Sequence, residues 1–106
     1  MKKTEKQNWE AFYLWGKFDK VLKSGETIEI ETSFVEVKDK NGDDTSIDMV
    51  EADTKEVNGS QLGARIIEGT IDKSPYLVSF KAHTSLGNKY KTDMTLEIIE
   101  PTVETS

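Results

Sequence analysis

The segment PYLVSFKAHT, residues 75–84, alternates apolar and polar side chains with a period of two, and KYKTDMTLEII, residues 89–99, does so again four residues later. A strand sends successive side chains to opposite faces. Tyr76, Val78, Phe80 and Ala82 therefore form the inward set of the first segment, against Ser79, Lys81 and His83 outside. In the second, Tyr90, Met94, Leu96 and Ile98 face Lys89, Lys91, Asp93 and Glu97 across the strand. The intervening SLGN holds Gly87 and Asn88, two residues that tolerate left-handed backbone, so the pair reads as a hairpin.

The rest of the chain continues in this style, with little that could form a long helix. In ETIEIETSF, residues 26–34, the alternation puts Ile28, Ile30 and Phe34 on one face and Glu29, Glu31 and Ser33 on the other. TSIDMVEA (45–52) and GARIIEG (63–69) read as further strands, and TKEVNGS (54–60) as a short one ending at Asn58-Gly59. Asn41-Gly42, in KDKNGDD, supplies the positive φ of a tight turn. NWEAFYLWGKFDKVL (8–22) reads as a strand from about Ala11 to Trp15 followed by an irregular or single-turn segment to Leu22. Its rings, Trp9, Phe12, Tyr13, Trp15 and Phe18, are expected chiefly as core, with a contact surface as the alternative.

Seven short strands punctuated by turn signals point to an all-β sandwich. With 106 residues the chain can bury one core without metals or disulfides, and it contains no cysteine. The expected organisation is one sandwich domain over residues 9–99, with residues 1–8 and 100–106 as flexible ends outside it, since neither end has an apolar face and Pro101 cannot donate to a ladder. Ile30, Val78, Phe80 and Leu96 are expected to meet at the centre.

Fourteen basic against twenty acidic residues leave a formal charge of -6, whose field repels phosphate backbones and anionic lipid heads. Nucleic acid and membrane surfaces are therefore poor partners. No apolar run approaches a membrane span, and MKKTEKQNWE lacks the apolar stretch of a signal peptide, which points to a protein that stays where it is made.

Catalytic patterns are nearly absent. His83 is the sole histidine and falls on an outward face, so it reads as a solvated side chain. Asp72 and Asp93 are ordinary carboxylates in a carboxylate-rich chain, Glu26, Glu29 and Glu31 read as a solubility face, and GSQLGA lacks the lysine and hydroxyl of a phosphate loop. Aligning Gly42 with the sixth position of a calcium loop puts Asp39, Asn41, Asp43 and Thr45 at ligand positions, but Val37 and Asp48 then stand where the strong ligands belong. A polar hairpin loop is the better reading. No catalytic residue, metal ligand or cofactor is expected, and partner-binding residues are not assigned.

Within IDKSPYLVSF, Asp72, Ser74, Tyr76 and Val78 match the D-x-[GSA]-x-Y-x-C string that marks the sixth strand of many immunoglobulin-type sandwiches, with valine in place of cysteine. The expected fold is thus an immunoglobulin-like β-sandwich of about seven antiparallel strands without a disulfide. LKSGETIEIETSF and GTIDKSPYLVSFKAHTSLGNKYKTDMTLEI also resemble a family of small immunoglobulin-like proteins of bacteriophage and prophage structural-gene clusters, the fibre-tail adaptor-like proteins. Trp15, Gly25, Glu26, Thr27 and Ile28 carry the first part of that pattern. Gly69, Thr70, Tyr76, Val78, Thr84, Gly87, Leu96 and Ile98 carry the rest, although Glu68-Gly69 stands where the family usually has two glycines. The resemblance implies a virion or assembly protein of the tail or head-tail region. It would work by contact with other phage structural proteins, without catalysis, in the particle or in the host cytoplasm during assembly. The alternative is a small-molecule or carbohydrate-binding sandwich that uses exposed Trp and Tyr rings.

Overall fold

The computed structural model of the chain describes residues 2–7 and 9–99. Its strands are β1 (Lys2–Gln7), β2 (Phe12–Lys17), β3 (Phe34–Lys38), β4 (Glu56–Asn58), β5 (Gln61–Ile66), β6 (Tyr76–His83) and β7 (Lys89–Ile99), with one helical turn at Ser46–Met49 and a 3-10 turn at Ile71–Lys73. They form a four-stranded sheet in the order β1-β7-β6-β3 and a three-stranded sheet in the order β2-β5-β4. Strands three, six and seven on one side and two, five and four on the other follow the partition of an immunoglobulin sandwich, except that β1 joins the sheet of β7 rather than that of β2. The protein is an all-β sandwich without cysteine.

The two strongest alternating segments form strands with the expected inward sets except at Tyr90, which is only half-buried, and Ser79, expected outside, is buried as well. Tyr76, Val78, Phe80 and Ala82 of β6 are buried, as are Met94, Leu96 and Ile98 of β7, and the hairpin between them pairs Tyr76 with Leu96 and Val78 with Met94. From the other sheet Leu14, Leu62, Ala64 and Ile66 close the core. Phe80 sits directly under β2. A Cβ on Gly16 would stand 2.5 Å from its Cγ, so glycine is what lets the sheets approach there. Tyr76 folds back on its own corner, where its hydroxyl accepts the Thr70 amide at 3.0 Å.

Four expectations fail, each for an identifiable reason. ETIEIETSF is not one strand. Ile28 pairs with Thr84 through an isolated bridge, a turn closed by the Ser33 amide donating to the Glu29 carbonyl at 3.1 Å then bulges outward, and pairing resumes at Phe34. The bulge shifts the inward parity from Ile28 to Ser33, Val35 and Val37. Ile30 consequently leaves the core, at 38% exposure, as does Phe34 at 42%. Ser33 seals the bulge, its Oγ accepting the His83 amide at 2.9 Å.

TSIDMVEA is likewise not a strand. The Asp44 carboxylate accepts the Ser46 amide at 2.8 Å and so nucleates a helical turn, which buries Met49 and leaves Ile47 exposed. Nor do the first residues lie outside the sandwich, because β1 runs along β7 from the Lys2–Met94 pair to the Gln7–Ile99 pair. That pairing is parallel, so the sandwich is not wholly antiparallel. β1 has no apolar alternation because it is held by its ladder, by a Lys3–Glu97 ion pair at 2.8 Å and by Lys6. The Lys6 stem is buried, and its ammonium donates to the carbonyls of Gln7 and Glu68. The expectation for residues 100–106 lies outside the described residues.

Two measurements check this packing. Tyr76→Phe should cost about 1 kcal/mol in a urea melt through the lost hydroxyl bond, and Tyr76→Ala roughly 3–5 kcal/mol through the cavity it opens. Gly16→Ala should cost about 1–3 kcal/mol in the same melt, because the added Cβ meets Phe80 at its Cγ and Cβ, atoms that no ring rotation moves aside.

Candidate interaction surfaces

A buried carboxylate organises the loop end of the molecule. The turn from Lys23 to Glu26 reverses at Gly25, whose φ of 80° favours glycine, and the Glu26 amide donates to the Lys23 carbonyl at 2.9 Å. This points the Glu26 side chain inward. Its Oε2 accepts the Thr84 hydroxyl and the Asn88 side-chain amide, the latter at 2.8 Å, and its Oε1 accepts the Lys23 amide at 2.9 Å. The Tyr90 hydroxyl lies 3.4 Å from Oε1. One glutamate therefore ties the segment before β3 to the β6–β7 hairpin. The Thr84 hydroxyl first, then the Lys23 amide, holds its carboxyl at about 2. Tyr90 is pushed up from its ordinary value, first by burial and then by the charge of Glu26. Glu26 is thus not part of a solubility face.

Above this hub lies an open groove of about 560 Å³ between Glu29–Thr32 and the residues His83, Thr84, Gly87 and Asn88. Glu29 and Glu31 are exposed, as the sequence suggested, and Ile30 joins them at the rim. His83 is partly buried at the end of β6. The lining combines two solvated carboxylates, the histidine, and the hydroxyls of Thr32 and Thr84, of which Thr84 already donates to Glu26.

The opposite end carries a second surface. Trp9, at 75% exposure, and Ile47, at 92%, flank two grooves of about 490 and 560 Å³ that share Ile67 and Glu68. Glu68 holds a left-handed φ of 61° ahead of Gly69, where a Cβ would meet Ile98 at 2.8 Å. Lys6 lies beneath this strained corner. Burial pushes its ammonium below the ordinary range, against the opposing charges of Glu68 and Glu10.

The third surface is the outer face of β2. Tyr13 and Trp15 stack with centroids 5.6 Å apart and planes 18° from parallel. Trp15 lies over Gly63 of β5, where a Cβ would stand 2.4 Å from its ring. The aromatic segment therefore divides. Phe18 is core and Phe12 packs against it, whereas Trp9, Tyr13 and Trp15 stand on the outside. Spacing alone could not show this, because the deciding partners are Phe80 below Gly16 and Gly63 below Trp15.

The acidic turn closes on itself. Asp39 accepts the amides of Asn41 and Asp43 at 2.9 and 3.0 Å, and Gly42 takes a φ of 87°. Among the described residues, no three His, Cys, Asp or Glu side chains are grouped to hold a metal ion, and no helix is long and apolar enough to cross a membrane. No family model matches the chain, and no curated protein is similar to it.

Because folding depresses the Glu26 carboxyl from 4.5 to about 2, its contribution to stability is complete above pH 4.5 and is lost as the pH falls toward 2. Urea midpoints measured across that window should fall for the wild type. Glu26→Gln should be less stable at pH 7 and should show a shallower decline over the same window.

Proposed function

We propose that this chain is a non-catalytic contact module of a phage or prophage particle, in the tail or head-tail region, that binds neighbouring proteins through sheet edges and loops. The observation that supports the reading best is the distribution of exposed apolar side chains. Trp9, Ile47 and Ile71 stand on loops or short turns at one end, Ile30 and Leu86 at the other, and Tyr13 beside the β2 edge. A rigid sandwich that presents such groups on loops and edges suits recognition by contact. The family resemblance carried by Gly25–Ile28, Tyr76 and the β6–β7 hairpin supplies the phage context.

A small-molecule or carbohydrate site has one observation in its favour, the outward Tyr13–Trp15 stack. Titrating the protein with sugars while following tryptophan emission tests it, since a ring that takes a ligand shifts its emission and an unliganded one does not.

The contact reading is tested by capture of particle proteins from a phage lysate. The wild type should retain a virion component, and charge reversal at Lys89 and Lys91, both exposed on β7, should reduce that capture if the hairpin contributes to it. Retention of no virion component by the wild type would remove the particle assignment.

A further inference from the structure

Among the described residues the two sheets expose four edges, and three carry features that discourage further strand pairing. β1 reads KKTEKQ and is largely charged, β4 has three residues, and β3 alternates with Glu36 and Lys38 and has Lys38 bridged to Asp44. β2 is the exception. It reads FYLWGK, six residues with a charge only at its last position, and among the described residues it pairs with β5 alone.

The direction of its free groups follows from the ladder. The Phe18 amide donates to the Ser60 carbonyl at 2.9 Å, one step beyond the Lys17–Gln61 pair. In an antiparallel ladder a residue's N–H and C=O point to the same side and alternate along the strand. Phe12, Leu14 and Gly16 therefore face β5, while Tyr13, Trp15 and Lys17 aim their backbone groups at the open edge.

We propose that the β2 edge pairs antiparallel with the β2 edge of a second copy of this chain, about a two-fold axis at Leu14, to give one continuous six-stranded sheet. The inference rests on the reading of the chain as a contact module. In that register Tyr13 of each copy lies opposite Trp15 of the other, so the two stacks merge into one aromatic belt on the outer face. Lys17 lies opposite Ala11, beside Glu10, so the two ends of the edge are complementary in charge under the two-fold. Trp15 is already held over Gly63, which leaves little side-chain entropy to lose on pairing.

Sedimentation equilibrium of the purified full chain, combined with amide exchange by NMR, tests the proposal. The mass should rise from the 12.0 kDa of one chain toward twice that with concentration. The amides of Tyr13, Trp15 and Lys17 should become protected in parallel, while those of Phe12, Leu14 and Gly16 are protected throughout. Tyr13→Pro removes an outward N–H and the ring of the Tyr13–Trp15 stack while leaving every β5-facing N–H in place, and Tyr13→Lys adds a charge beside the edge. Each should weaken association by at least about tenfold, and the β5-facing amides should stay protected as evidence of an intact fold.

A monomer at every concentration, or a dimer that both variants leave unchanged, would overturn the proposal. So would outward amides protected independently of concentration, which would mean that this chain covers its own edge, or amides protected only when a virion protein is added. That last outcome would leave the contact module standing and assign the edge to another chain, whereas a dimer that captures no virion protein would do the reverse.

Discussion

Phe80 packs directly against the backbone of Gly16 across the two sheets, and much of the molecule is arranged around that contact. The ring needs space that no side chain at position 16 could leave, so β2 must present glycine inward at that point. Parity then follows. With Gly16, Leu14 and Phe12 turned to the core, Tyr13, Trp15 and Lys17 must turn out, and Trp15 finds its support on a second bare backbone position, Gly63. Two glycines on adjacent strands thus take two rings on opposite faces of one sheet. The same arrangement sets the sheet spacing and builds the outer aromatic surface.

A sandwich without a disulfide holds its layers together by packing and by polar ties at its ends. Val78 occupies the position where many immunoglobulin-type sandwiches carry cysteine, and it is fully buried. At one end the Glu26 carboxylate, satisfied by donors from Lys23, Thr84, Asn88 and Tyr90, ties the long connection before β3 to the β6–β7 hairpin. At the other, Tyr76 bonds the Thr70 amide and Lys6 bonds the Glu68 carbonyl, fixing the connection between β5 and β6. Buried polar groups with full sets of partners favour one arrangement of the loops over many.

The carboxylate most strongly perturbed is the one that ties loops together, while Glu29 and Glu31 stand exposed in the groove beside His83 and Thr84. The large apolar side chains outside the core sit on loops and beside an edge strand, where a partner can reach them.

Strands β6 and β7 were legible in the sequence because a half-buried strand writes its burial as alternation, and both were long enough to average out exceptions. Tyr76, Val78 and the Gly87 turn followed from the same local logic, as did the sandwich as a fold class. The rest depended on partners remote in sequence. Ile30 alternates correctly with Ile28, yet a bulge sealed by Ser33 against His83 reverses the parity, and no local signal marks that bulge. β1 is a strand because β7 offers it a ladder, and Glu26 reads as a surface residue until Thr84 and Asn88 close over it. The sequence by itself determined which segments could bury a face and where the chain could turn. Tertiary structure alone decided which face was buried in the ambiguous segments, because register and polar satisfaction are set by groups that meet only after the sheets have paired.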